Sequence, residues 1–220
     1  MSHRPASEAA HPVPGPRIDV VGLGPAGPEL ITDETLKLIN GAATVFLRTS
    51  RHPAAVAFPG VPSFDDHYES EPTFDAVYRA IVADLLAAAR RPGSVVYAVP
   101  GSPTVAERTV GLLREDPAVK AGEVTVSVHP ALSFLDVAFA RLGIDPVASG
   151  VRIVDAESFA SSAAGESGPL LVAQCWSPSR LSEIKLSAEA PPGTRVTVLY
   201  HLGLEDERVW EVEWDDLDRS

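Results

Sequence analysis

Residues 20–30 read VVGLGPAGPEL. An apolar run rich in β-branched residues (RIDVVGL, 17–23) ends here in Gly22, Gly24 and Gly27, and Thr32 follows with an N-cap oxygen for a helix. Strand, glycine turn and helix in that order form the opening of a parallel α/β unit, whose crossover helix returns the chain to the sheet. The glycine spacing is also that of a dinucleotide-binding fingerprint, a weak signal when it stands alone. Three readings are open at this point: a nicotinamide site, a site for another adenosine cofactor, or a tight turn at the edge of the core.

Outward from the loop, the alternation continues. A helix is expected over 33–40, with Asp33 and Glu34 in its first turn and Gly41 at its end. Residues 43–47 (ATVFL) read as a strand. Residues 49–72 carry four prolines and read as loop, with at most a short strand near Phe64. A helix over 74–91 places Val77, Ile81, Leu85 and Ala88 on one face. A strand at 94–99, helix at 105–115, strand at 124–128 and helix at 134–142 complete a mostly parallel sheet with helices on its faces.

Beyond about residue 130 strands dominate: 151–154, 170–174, 195–200 and 208–213, with one helix over 181–190 and a small polar loop at 157–169. The expected organisation is a disordered tail (1–16), an N-terminal α/β lobe (17–130) and a C-terminal α/β lobe (131–220) built on a mixed sheet.

Composition bounds the function. Among 220 residues, 18 Lys and Arg face 30 Asp and Glu, a formal charge of −12 that repels phosphate backbones. No basic patch offsets it, so a nucleic-acid partner is not expected. Cys175 is the one cysteine, so no intrachain disulfide forms. No apolar run approaches the ~18 residues of a membrane span, and residues 1–16 lack the apolar core of a signal peptide. A cytoplasmic protein without a membrane association is expected.

A nicotinamide site also needs an acidic residue about 20 positions beyond the glycines, at the end of the next strand. That strand ends in Arg48, Thr49 and Ser50, and an arginine would suit only the extra phosphate of NADP. Pro25 and Pro28 further remove backbone donors that a pyrophosphate would use. A second glycine turn, VPGSPT (99–104), and a third segment, HPALSFLD (129–136), again join strand to helix. Three such loops at one end of a parallel sheet build a ligand crevice.

In this order the segments resemble the tetrapyrrole methylase family of S-adenosylmethionine-dependent methyltransferases. GLGPAGPELIT (22–32), YAVPGSPTV (97–105), PALSF (130–134) with LGIDP (142–146), and LLVAQ (170–174) match its motifs across residues 17–220. The resemblance implies a two-lobed α/β fold, mostly parallel in the N-terminal lobe and mixed in the C-terminal lobe, with a cofactor cleft between them. It places S-adenosylmethionine against Pro100, Gly101, Ser102 and Val105, with Ser133 and Phe134 near the methionine end and Ala173 and Gln174 at the adenine. The first loop, with Gly22, Gly24, Pro25 and Gly27, takes the acceptor side. The family usually carries Asp where this chain has Ser102, which removes a charge-assisted hydrogen bond of ~1.5–3 kcal/mol.

Within the family, LRTSRHPA, VVYAVPGSPTVAERTV and PLLVAQ are most similar to the N-terminal domain of MazG-type nucleotide pyrophosphohydrolases. Those proteins continue into a helical MazG domain, whereas this sequence ends in DLDRS (216–220). The expectation is a methylase domain, fused to or separate from a MazG domain, without pyrophosphohydrolase activity of its own. A homodimer is expected on family analogy.

Methyl transfer is an in-line displacement governed by alignment. An acceptor nitrogen or enol-like carbon would also need a base or an oxyanion stabiliser, for which Tyr68 and Tyr78 are the candidate catalytic residues, beside Asp65 and Asp66. Tyr78 also fits simple packing beside Val77 and Ile81. Three readings stand: an active methyltransferase on a small or tetrapyrrole-like acceptor, a non-catalytic S-adenosylmethionine-binding regulatory domain for MazG, and a scaffold with a vestigial, empty cleft. His52, His67, His129 and His201 lack metal-ligand spacing, so no metal is expected. Cys175 is expected to be buried, and Arg48 and Arg51 to be surface charges beside the cleft, with an acidic substrate as their alternative partner.

Overall fold

The computed structural model describes residues 15–163 and 168–219. Most of the expected tail, the middle of the 157–169 loop and Ser220 lie outside the described residues. The chain divides into two compact units, one ending at Leu132 and the other beginning at Ser133.

The first unit contains β1 (Arg17–Gly22), α1 (Asp33–Gly41), β2 (Thr44–Leu47), α2 (Asp65–Ser70), α3 (Phe74–Ala89), β3 (Val95–Val99), α4 (Arg108–Glu115), α5 (Pro117–Lys120) and β4 (Thr125–Val128). Its four strands are all parallel, in the order β2-β3-β1-β4. β1 and β3 are central and buried on both faces, which is why they read as continuous apolar runs. Side chains alternate with period two. Ile18, Val20, Val95, Tyr97 and Val99 join Val77, Ile81 and Leu85 of α3 and Val110 and Leu113 of α4 in one core. Val21, Val96 and Ala98 face the other way, to Ile39 of α1. Full burial of each such aliphatic side chain contributes ~1.5–3 kcal/mol.

Thr32 caps α1 by accepting from the Thr35 amide at 3.2 Å. Residues 65–70, expected as loop, form α2 instead. Asp65 and Asp66 lie in its first turn, where they complement the helix dipole. The strand expected near Phe64 reduces to one bridge between Ser63 and Leu47. α4 begins three residues later than expected, because Glu107 caps it through the Thr109 amide (3.0 Å). Val105 therefore belongs to the loop.

The second unit runs α6 (Phe134–Leu142), β5 (Arg152–Asp155), α7 (Phe159–Ser162), β6 (Leu170–Ala173), α8 (Pro178–Ser187), β7 (Arg195–Tyr200) and β8 (Arg208–Glu213). β5 and β6 pair in parallel, and β7 and β8 antiparallel, so both senses occur but in two separate ladders. Val154, Phe159, Ile184 and Leu217 form its core. The start of the expected 157–169 loop is therefore helical, since Phe159 anchors it. Leu217, near the end of the described residues, is buried in the same core. Cys175 is exposed, contrary to expectation. Among the described residues no helix is long and apolar enough to cross a membrane.

Candidate functional site

The strand order creates a switch point in the first unit. The connection leaving β1 runs through α1 on one face of the sheet, while that leaving β3 runs through α4 on the other. Adjacent parallel strands whose connections part in this way open a crevice beyond their carboxyl ends. Both glycine turns lie there. Leu23 donates to the Val99 carbonyl at 2.8 Å, extending the β1–β3 ladder past both strand ends. Gly24 and Gly101 then exchange amide hydrogen bonds of 3.2 and 2.8 Å. Both have positive φ, +75° and +64°, so the bridge requires a conformation that side chains disfavour.

At Gly22 the demand is space. A Cβ would lie 2.5 Å from Ala131 Cβ, 2.9 Å from Pro103 Cδ and nearer still to the Gly101 carbonyl oxygen. At Gly101 the reverse holds, with open space where a Cβ would sit. The buried Thr35 hydroxyl donates to the Gly22 carbonyl at 3.2 Å and ties α1 to this edge. Gly27 caps a short 3-10 turn at Pro28–Leu30, and Pro25 is half-buried between the glycines.

Of the other residues singled out by sequence, Pro100, Gly101, Ser102 and Val105 share the second turn. Ser102 is buried, its hydroxyl 3.0 Å from that of Thr104, and its carbonyl accepts from the Val105 amide. Ser133, Phe134, Ala173 and Gln174 belong to the second unit. There the Ser133 amide and hydroxyl both donate to Asp136 (2.7 and 2.8 Å), starting α6 at Phe134. Ala173 ends β6, and Gln174 takes a left-handed φ of +64° that turns the chain.

Tyr68 and Tyr78 converge on one cation. Arg48, expected on the surface, is largely buried instead. It donates through Nε to the Tyr68 hydroxyl (2.9 Å), through a terminal nitrogen to Glu107, and through the other to the Tyr78 hydroxyl (3.4 Å). The Glu107 side chain is only 1% exposed. Its second oxygen accepts from the Thr109 amide and hydroxyl, and that hydroxyl lies 3.2 Å from the Tyr97 phenol. Burial lowers the Arg48 pKa by itself, but the charge of Glu107 and the neighbouring tyrosines outweigh it, so the guanidinium is held charged. Burial pushes the Tyr68 phenol above its ordinary value, with Arg48 pulling partly back. Tyr97, wholly buried, is shifted up more strongly for the same first reason. Glu107 and Thr109 escape sequence reading. The signal available was the carboxylate two residues before Thr109, placed to cap α4.

Nearby, Asp65 accepts from Thr49 Oγ1, from the Ser50 amide and hydroxyl, and from Ser63 Oγ. On the opposite face His129 lies 2.8 Å from the buried Asp19 and 3.2 Å from Glu34.

The profile of the tetrapyrrole (corrin/porphyrin) methylases matches residues 17–218, both units together. The chain belongs to that family. Among curated proteins, this tetrapyrrole methylase is 36% identical over 210 residues to the uncharacterized protein YabN of Bacillus subtilis (strain 168). The match covers 93% of this chain and 42% of YabN, so the chain spans about two fifths of that relative. Among solved structures it resembles the cobalamin biosynthesis precorrin-6Y methylase of Archaeoglobus fulgidus, with a TM-score of 0.65 and 23% identity over 92% of this chain and 91% of that one. It also resembles the uroporphyrin-III C-methyltransferase of Thermus thermophilus complexed with S-adenosylhomocysteine (TM-score 0.62, 20% identity, 92% and 90% covered). At these identities the structural likeness concerns the fold.

Proposed function

We propose that this tetrapyrrole methylase binds S-adenosylmethionine and transfers its methyl group to a small-molecule acceptor. The observation that carries the reading is the bridged pair of glycine turns at the switch point, with open space over Gly101 and none at Gly22. Such an edge lets a ligand approach backbone amides and carbonyls closely, and a side chain on Gly101 would occupy the approach. The T. thermophilus relative, solved with S-adenosylhomocysteine, supports the choice of ligand. Pro100, Gly101, Ser102 and Val105 would hold the cofactor, together with Ser133, Phe134, Ala173 and Gln174 of the second unit. The bound cofactor supplies an electrophilic methyl group on a sulfonium.

What the chain contributes is alignment and charge stabilisation. Holding donor and acceptor as a near-attack pair supplies ~7–11 kcal/mol of the barrier. The first glycine loop would face the acceptor, with Tyr68 and Tyr78 as polar groups on that side. The second reading is a non-catalytic S-adenosylmethionine-binding domain that serves an attached MazG pyrophosphohydrolase. That reading rests on the sequence resemblance; YabN extends beyond the matched region, which leaves room in that relative for a second domain. A cytoplasmic homodimer without membrane or nucleic-acid partners accompanies either reading.

Calorimetric titration with S-adenosylmethionine and S-adenosylhomocysteine tests the proposal, using wild type, Gly101→Trp and Gly101→Ala. Micromolar binding that the tryptophan abolishes and the alanine retains is the expected result. No heat at millimolar ligand sinks both readings. Binding without methyl transfer across an acceptor screen selects the regulatory one.

A further inference from the structure

In the Arg48 cluster two tyrosine hydroxyls meet one guanidinium. Arginine has donors only, so at both contacts the tyrosine oxygen accepts. Each phenol therefore keeps its own O–H free to donate, and among the described residues nothing accepts from either. Both tyrosines are half-buried, and their hydroxyls meet one guanidinium, which Glu107 also holds. Beside them stands Phe74, 67% exposed despite its size. Its ring stacks on Tyr78 (centroids 6.3 Å apart, planes at 18°) and meets Tyr68 edge-on at 6.5 Å. Three aromatic rings and a charged, desolvated guanidinium thus share one patch of the first unit.

We infer that Tyr68 and Tyr78 form a paired hydrogen-bond donor site for an anionic or enolate oxygen on a planar methyl acceptor, with Arg48 as the residue that positions them and Phe74 as the stacking surface. This rests on the methyltransferase reading for its purpose but not for its existence, since every residue lies in the first unit. It also assigns the tyrosines a role that sequence leaves open. A phenol that accepts from a guanidinium is polarised towards donation. Burial holds the Tyr68 proton on its oxygen at neutral pH, so Tyr68 acts as a donor and not as a base. Donors aimed in advance at an oxygen stabilise charge that develops there as the acceptor's nucleophilic atom is methylated. Arg48 differs from a surface cation in donating to partners on three different segments, which fixes the guanidinium against both phenols. The site therefore favours acceptors with a flat, conjugated ring and an acidic oxygen over aliphatic amines.

The test uses 4-nitrophenol, a planar probe with an acidic oxygen whose phenolate is coloured. The probe is titrated with the full chain at a pH where the free probe is half ionised, and S-adenosylhomocysteine affinity is measured on the same samples. Wild type is expected to bind the phenolate form preferentially. Tyr68→Phe and Tyr78→Phe should each weaken phenolate binding about tenfold, as loss of one hydrogen bond to a charged group does, while S-adenosylhomocysteine affinity stays unchanged. Arg48→Lys keeps a cation but cannot bridge both phenols, and should fall at least as far as the single tyrosine variants. The phenylalanine variants retain the rings and so report on donation even where an Arg48 variant fails to fold. The inference is overturned if wild type leaves the ionisation of the probe unchanged at millimolar protein, or if both phenylalanine variants bind phenolate as wild type does. Failure of S-adenosylhomocysteine to bind wild type would instead strike the methyltransferase reading, whatever the probe does.

Discussion

Replacing Gly22 by alanine places a methyl group where the second glycine turn already sits. The new carbon would lie 2.9 Å from Pro103 Cδ, 2.5 Å from Ala131 Cβ and closer than either to the Gly101 carbonyl. The nearest obstacle is backbone, so no side-chain rotation relieves the clash, and the turn must move by about an ångström. Overpacking of this kind costs ~1–3 kcal/mol. The same carbonyl accepts from Gly24 at 3.2 Å, and losing that bond adds about 1 kcal/mol. Gly22→Ala should therefore destabilise the chain by about 2–4 kcal/mol. Gly101→Ala is the control: its φ of +64° is unfavourable for alanine, at ~1–2 kcal/mol, but the space above it is open. Urea unfolding of both variants, compared at equal m-value, measures the difference. Because the moved turn is the one proposed to hold the cofactor, Gly22→Ala should also weaken S-adenosylhomocysteine binding more than Gly101→Ala does. A Gly22→Ala protein as stable as Gly101→Ala, with wild-type affinity, would refute the packing argument.

Other expectations concern charge. Partial burial pushes the Asp65 carboxyl up, but hydrogen bonds from Ser50, Thr49 and Ser63 outweigh it and hold the group below the usual carboxylate range. With the native pKa depressed, the stability Asp65 lends is fully present above the unfolded value of about 3.9 and is lost as pH falls below it. Wild type should therefore lose stability more steeply than Asp65→Asn on acidification through that region, and parallel acid limbs would contradict the assignment. Glu107→Gln keeps the cap on α4 but leaves Arg48 buried beside a neutral partner, at a cost of about 3 kcal/mol. The double variant Arg48→Met/Glu107→Leu should cost less than the two single changes together, and simple additivity in a denaturation cycle would mean that the pair is not coupled.

Much of the first unit was legible because its signals are local. The Thr32 cap, the apolar runs of β1 and β3, and the glycines that end them are decided by atoms within a few residues of one another. The failures share the opposite cause. Residues 65–70 look like loop because prolines flank them, yet Asp65 and Asp66 start a helix whose Tyr68 is held by Arg48, 20 positions earlier. Residue type places Cys175 in the interior, yet it is exposed, one residue after Gln174 takes a left-handed backbone.

By itself the sequence determined the alternation of strand and helix, the parallel sense of the sheet and the two turns that meet at its edge, since propensity, capping and glycine geometry act over short spans. Only the tertiary structure decided what stands beside those turns. Glu107, the cap of α4, lies 59 positions from Arg48, and Tyr78, on α3, lies 30 away. They meet because β2 and β3 are neighbours in the sheet and α3 and α4 pack on the same face of it. A strongly polar cluster of this kind is stable only where the surrounding core excludes water and each donor finds its partner, a condition set by packing across the whole unit and not by any one segment.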